Sequence, residues 1–281
     1  MSSLPFTDDY IKKSCKAYRK SKQGGVTKRN FHVLKDSAGK ETDYAVKMAY
    51  GYGTPGLRHE QGCMLHLSVY VNPKKVVIPK GYKYIQDGDW GLLVVQNIPG
   101  KTMWELMDEG DKELSPNDAN DIANAIQELR NVVHQPSGEA LTPSTRWNIK
   151  GHIFKPDNDG GRPLQTKGEF EAFMGDRLTK ATGTTSRLPD TEYVFTHGDL
   201  SPHNIKRLPD GRLAILDYDM SFFAPTYWEP YALYAAGEDP KYSGPLMKAF
   251  EAHGLTTDPT VKEQLDNVRL WSSTKGTGTC L

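Results

Sequence analysis

The sequence predicts an α+β chain in two lobes: a small, strand-rich lobe with an antiparallel sheet over residues 1–98, and a larger, mainly helical lobe over residues 99–281. Three observations carry that prediction. Short runs rich in Val, Ile, Tyr and Phe, separated by turn residues, dominate before residue 100. Apolar residues recurring at three and four dominate after it. Pro99-Gly100 separates the two textures, and 281 residues suffice to fill two sizeable cores.

Residues 16–34 read as two strands around the turn-prone Lys22-Gln23-Gly24-Gly25, and 43–49, Asp-Tyr-Ala-Val-Lys-Met-Ala, as a third. Residues 56–71 suit a helix, weakened by Gly62, and strands follow at 75–85 and 91–98. Beyond the junction, Ser115 as N-cap, Pro116 in the first turn and Asp118 three residues on start a helix. Its apolar stripe is Ala119, Ile122, Ala123, Ile126, Leu129 and Val133. Phe170, Phe173, Met174, Leu178 and Ala181 form a second stripe, and Leu246, Met247 and Phe250 before Gly254 a third. Between Asn204 and Asp217 the apolar runs at Ile205 and 213–216 flank Pro209-Asp210-Gly211, which reads as a hairpin. That hairpin sets Asn204 beside Asp217.

Composition excludes more than it selects. The 35 Lys and Arg balance 35 Asp and Glu, so charge gives no case for nucleic acid or an anionic membrane as partner. No apolar stretch is long enough to span a bilayer and the first residues carry no signal-peptide pattern, so a cytoplasmic location is expected. Cys15, Cys63 and Cys280 are scattered, which points to free thiols rather than disulfides or structural zinc. The stretch 274–281, rich in Gly and Thr, reads as a mobile tail.

Chemistry concentrates in 194–219, Val-Phe-Thr-His-Gly-Asp-Leu-Ser-Pro-His-Asn-Ile and then Ile-Leu-Asp-Tyr-Asp after the turn. A loop Asp can accept the proton of an attacking hydroxyl, and hard carboxylate and amide oxygens suit Mg²⁺. Asp199, Asn204 and Asp217 supply those oxygens at the spacing used in ATP-dependent phosphoryl transfer. Each taken alone also suits an ordinary turn.

The segment His197-Gly198-Asp199-Leu200-Ser201-Pro202-His203-Asn204-Ile205 carries a resemblance, with Leu216-Asp217-Tyr218-Asp219 and Tyr227-Trp228-Glu229 behind it. Ile78-Pro79 and 97–102, Asn-Ile-Pro-Gly-Lys-Thr, add weaker elements. Over about residues 15–235 the chain resembles the aminoglycoside phosphotransferase-like family, in particular its fungal branch, whose fold is protein-kinase-like. The resemblance implies Asp199 as catalytic base, Asn204 and Asp217 as Mg²⁺ ligands, and Lys47 on the ATP phosphates. It also implies Glu60 as the helix carboxylate that positions Lys47, and the backbone of Gln96 to Ile98 as receiver of the adenine edge. A phosphate-covering loop would rest on Gly24 and Gly25 alone, because no Gly-x-Gly-x-x-Gly is present.

Two of these positions have plain structural alternatives: a strand Lys often snorkels to solvent, and Glu60 has polar neighbours that suit a solvated carboxylate. His197 reads as a loop-positioning residue and His203 as facing the site mouth or solvent, while Asp219 suits either a metal contact or a turn cap. Ser201 stands where protein kinases commonly carry Lys and no Ala-Pro-Glu segment follows, which favours a small-molecule alcohol over a protein as acceptor. Acids at Asp219, Glu229, Glu238 and Asp239 and the aromatic run Tyr218, Phe222, Phe223, Tyr227, Trp228, Tyr231 and Tyr234 lie in the expected acceptor region. The aromatics suit ordinary core packing equally well. A natural-product intermediate of secondary metabolism is the acceptor class that the fungal resemblance suggests. A second reading keeps the fold without the transfer, as a nucleotide- or metabolite-binding scaffold or a site of other biosynthetic chemistry. The oligomeric state is left open.

Overall fold

A computed structural model describes residues 4–21, 29–132, 141–143 and 164–275. Helix α1 (Asp8–Ser21) is followed by β1 (Arg29–Lys35), β2 (Glu41–Tyr50) and α2 (Thr54–Tyr70). Strands β3 (Val76–Val77), β4 (Gly81–Asp87), β5 (Trp90–Gln96) and β6 (Lys101–Thr102) come next. The chain continues with α3 (Met103–Leu106), α4 (Pro116–Arg130), α5 (Lys167–Thr182), β7 (Tyr193–Thr196), β8 (Ile205–Arg207) and β9 (Leu213–Ile215). It ends with β10 (Phe222–Pro225), α6 (Trp228–Ala236), α7 (Pro240–Ala252) and α8 (Pro259–Lys275).

The first sheet has the order β1-β2-β5-β4, antiparallel throughout. Strand alternation gives it two apolar faces. Val46, Met48, Leu92 and Val94 pack with Ile11 and Cys15 of α1, while Ala45, Ala49, Leu93 and Val95 pack with Leu57, Cys63, Met64 and Leu67 of α2. Lys47 has the parity of Ala45 and Ala49, so it points to the α2 face. That parity decides the site.

Where the sequence suggests two strands over 16–34, residues up to Ser21 belong to α1, and among the described residues of that stretch only β1 is strand. The buried stripe of α1 is just Ile11 and Cys15, one helical repeat apart, with acids in its first turn and basic residues in its last. Gly24 and Gly25 lie outside the described residues. The strand expected over 75–85 is broken at Ile78-Pro79-Lys80, because proline lacks an N–H and restricts the residue before it. Its first part, β3, pairs with β9, and its second, β4, with β5.

The remaining expected elements form. Helix α2 carries a Pro in its first turn, and Ser115 Oγ accepts from the Asp118 N–H at 3.1 Å to cap α4. Helix α5 starts with a Thr166/Glu169 capping box and ends at Gly183 in the left-handed region. Strands β8 and β9 pair antiparallel across Pro209-Asp210-Gly211, inside a second sheet of order β3-β9-β8-β6. Thr274 and Lys275 close α8 rather than opening a tail, and 276–281, with Cys280, lie outside the described residues. Cys15 and Cys63 are free and buried. Among the described residues no helix is long and apolar enough to cross a membrane.

Gly100 fixes the passage from β5 to β6. Its φ is +111°, and a Cβ there would lie 2.2 Å from the Arg207 carbonyl oxygen. Gly88 also has a positive φ, +59°, but nothing lies within 4 Å of a Cβ there. Gly88→Ala is expected to cost about 1 kcal/mol from backbone strain, and Gly100→Ala roughly 3 kcal/mol or more because strain and a backbone clash combine. Chemical denaturation of both variants checks this; equal losses would remove the clash from the account.

Candidate active site

Four elements converge on one cleft of about 360 Å³, lined by Lys47, Glu60, Met64, Val95, Gln96, Ile98, His203, Asn204, Lys206, Leu216 and Asp217 among others. Its floor is an ion-pair triad. Lys47 Nζ from β2 lies 2.9 and 2.8 Å from the two Glu60 carboxylate oxygens on α2, and 2.6 Å from Asp217 Oδ1 just after β9. Glu60 is 3% exposed, so the solvated alternative does not hold. Burial works against the Lys47 ammonium, but the two carboxylates outweigh it and raise its pKa. Burial pushes Glu60 up to about 7 against the pull of Lys47.

The hairpin performs the expected juxtaposition. The Leu216 N–H donates to the Asn204 carbonyl at 2.8 Å, and Asp217 follows with φ +66°, turning its carboxylate into the cleft. Asn204 Nδ2 donates to the Asp199 carbonyl and to Asp199 Oδ2, both at 3.0 Å. With the amide nitrogen so used, Asn204 Oδ1 is the end left for a ligand, an orientation assigned from its partners. Asp199 Oδ1 makes no hydrogen bond among the described residues.

Glu229 and His197 hold the Asp199 loop, the first in a role that the sequence did not assign to it. Glu229, buried at the start of α6, accepts from the His197 N–H at 2.5 Å and the Gly198 N–H at 2.9 Å. Burial raises its pKa, while His197 and those two amides oppose the rise. His197 is fully buried; its Nε2–H donates to the Leu216 carbonyl at 2.9 Å and its Nδ1 accepts from the Asp199 N–H at 3.3 Å. It is therefore a positioning residue, as the sequence suggests. Gly198 has φ +78°, and a Cβ there would meet the Met220 carbonyl oxygen at 2.8 Å.

At the other end of the cleft, the backbone of 96–98 is partly committed. The Gln96 N–H donates to Lys80 O at 2.8 Å and the Asn97 N–H to Asp43 O at 2.9 Å. Lys206 Nζ donates to the Ile98 carbonyl at 2.9 Å. Among the described residues the Ile98 N–H has no hydrogen-bond partner, so it is the donor open to a ligand edge.

The suggested acceptor region divides differently. Tyr218, Phe222, Phe223, Tyr227, Trp228 and Tyr231 are buried in the core; of that run only Tyr234 is exposed. Asp219 and Glu229 are buried as well, and Asp239 caps α7 by accepting from the Lys241 N–H at 2.8 Å. Glu238 stands near Asp199: burial raises its pKa and Asp199 adds to the rise, while a hydrogen bond with Ser201 opposes it. His203 is exposed at the cleft, its ring 5.0 Å from Trp104.

Because Glu229 binds two N–H groups with two oxygens, Glu229→Gln turns one acceptor into a donor facing a donor. An expected loss of about 2–4 kcal/mol in unfolding free energy follows from that unsatisfied buried pair. Thermal and urea unfolding measure it, and a loss below about 1 kcal/mol, the value of one ordinary hydrogen bond, would contradict the double bond.

No curated protein matches the chain in sequence. Among solved structures, the spectinomycin phosphotransferase APH(9)-Ia in complex with ADP and spectinomycin superposes with a TM-score of 0.52 at 13% identity, over 98% of this chain and 88% of that one. A thermostable mutant of the aminoglycoside phosphotransferase APH(4)-Ia, in its apo form, gives 0.51 at 12% identity, over 92% and 94%. At identities this low, the structural likeness shows a shared protein-kinase-like fold and nothing finer. The APH profile, described as the phosphotransferase enzyme family, matches residues 22–263. Spanning most of the sequence, that match shows that this chain belongs to the phosphotransferase enzyme family.

Proposed function

We propose that the protein is a cytoplasmic, ATP-dependent phosphotransferase that moves the γ-phosphate to a hydroxyl of a small molecule, with a natural-product intermediate as the acceptor class. The observation that carries this reading is the opening of Lys47, Glu60, Asn204 and Asp217 into one cleft, with Asp199 hydrogen-bonded to Asn204 at its edge. The first 98 residues form the nucleotide-binding lobe in this reading, and the Ile98 N–H receives the adenine edge.

The donor set fits Mg²⁺. One ammonium stands between two carboxylates, so Lys47, Glu60 and Asp217 carry a net negative charge that a divalent cation would offset. Asn204 Oδ1 and the Asp217 carboxylate would hold the ion, which neutralises phosphate charge when bound. Lys47 contacts the phosphates, and Glu60 keeps its side chain from swinging into solvent. Asp199 Oδ1 accepts the acceptor's hydroxyl proton as its oxygen forms a bond to the γ-phosphorus. The bond from that phosphorus to the bridging oxygen breaks and ADP leaves. Asn204, bonded to Oδ2, keeps Oδ1 turned outward.

Asp199→Asn is expected to lower kcat about 10²- to 10⁴-fold, the range of a lost general base, while the ATP KM stays nearly constant. Turnover unaffected in that variant would sink the assignment. Binding of Mg·ATP at 100 times its Kd should stabilise the wild type by about 2.7 kcal/mol, and Asp217→Ala should abolish that gain. Thermal shift with and without Mg²⁺ reads it, and a scaffold that binds nucleotide without transfer would keep the shift yet yield no phosphorylated product from a metabolite extract.

A further inference from the structure

The buried face of α2 has two edges. Glu60 and Met64 line the cleft, whereas His59 reaches Ser221, just before the start of β10, with Cys63 one helical repeat on and its Sγ 3.5 Å from the His59 ring. His59 is 1% exposed, and its Nε2–H donates to the Ser221 carbonyl at 2.7 Å. Ser221 is equally buried, and its Oγ–H donates to the His197 carbonyl at 3.0 Å. The residue after Ser221 pairs with Thr196, the residue before His197, so this bond lies at the root of the two strands that deliver the Asp199 loop.

We propose that His59 is a positioning residue for phosphoryl transfer: through Ser221 it holds α2, and with it the Glu60–Lys47 pair, in register with the loop carrying Asp199. This rests on the phosphotransferase reading. Glu60 binds α2 to the sheet and Asp217 binds the sheet to the hairpin; His59 closes the third side, from α2 to His197. An apolar side chain would fill the same space without desolvating an imidazole, so the polar group supplies direction rather than volume.

The test compares wild type, His59→Met and His59→Gln. Met keeps the bulk without the donor, and the Gln amide can place its nitrogen near the position of Nε2. His59→Met is expected to lower kcat about tenfold or more, since displacement of a catalytic group by about 1 Å can cost 10²-fold, with both KM values within about threefold. His59→Gln is expected to recover most of kcat. A Gln variant no better than Met, a Met variant equal to wild type, or a loss confined to KM would overturn the proposal. Should His59→Met fail to unfold cooperatively, Ser221→Ala serves: it removes the Oγ–H bond to His197 and leaves the Ser221 carbonyl. Full kcat in that variant would overturn the proposal, and a lowered kcat with unchanged KM supports it. Wild-type protein that neither gains stability from Mg·ATP nor transfers phosphate defeats the phosphotransferase reading instead. Hydrogen exchange at the His197 to Asp199 amides then still reads the linkage, expected faster in His59→Met than in wild type or His59→Gln; equal rates would overturn it.

Discussion

A single ammonium group joins the parts of this protein that must work together. Lys47 stands on a strand of the first sheet, Glu60 on a helix and Asp217 at the end of a hairpin about 170 residues further on. Without the cation, a buried carboxylate and a partly buried one would face each other, and removing one partner of a buried ion pair costs about 3–5 kcal/mol. The pairing therefore constrains three elements at once. Burial raises Glu60 while the carboxylates raise Lys47, so desolvation and attraction are both large here. A site in that balance responds to an added charge on a phosphate or a metal more strongly than a solvated one does.

The Asp199 loop is held in a different way, chiefly through its backbone. Glu229 grips the His197 and Gly198 amides, His197 grips the Leu216 carbonyl and the Asp199 amide, and Asn204 grips Asp199 itself. With Asp199 Oδ2 held by Asn204, the bonds to the backbone leave Oδ1 to face outward, which is the preorganisation that the proposed proton acceptance needs. Gly198 is required because its positive φ and the nearby Met220 carbonyl leave no room for a Cβ.

Local signals were legible and long-range ones were not. The spacing of Asp199, Asn204 and Asp217, the hairpin between them and the capped start of α4 all follow from neighbours a few residues apart. Helix α1 was hidden because its buried stripe is two residues wide and the rest is mostly Lys, Arg, Asp and Ser with Tyr10, Ala17 and Tyr18, a texture that also suits loops and edge strands. Glu229 was visible in the sequence but its role was not: its partners lie 31 and 32 residues upstream, and only the packing of α6 under the loop brings them together. His59 is the same case at 162 residues.

The aromatic run between Tyr218 and Tyr234 shows why periodicity cannot separate a core from a substrate wall. Both demand large rings at close spacing, and only the position of the cleft decides between them. Here the cleft is lined by residues such as Lys47, Glu60, Asn204 and Asp217, whereas all of the aromatic run but Tyr234 is buried in the core. The buried rings instead give α6 and β10 a rigid seat, and α6 carries Glu229. The rings thus act on the Asp199 loop indirectly, by seating the helix whose Glu229 carboxylate holds the loop's backbone.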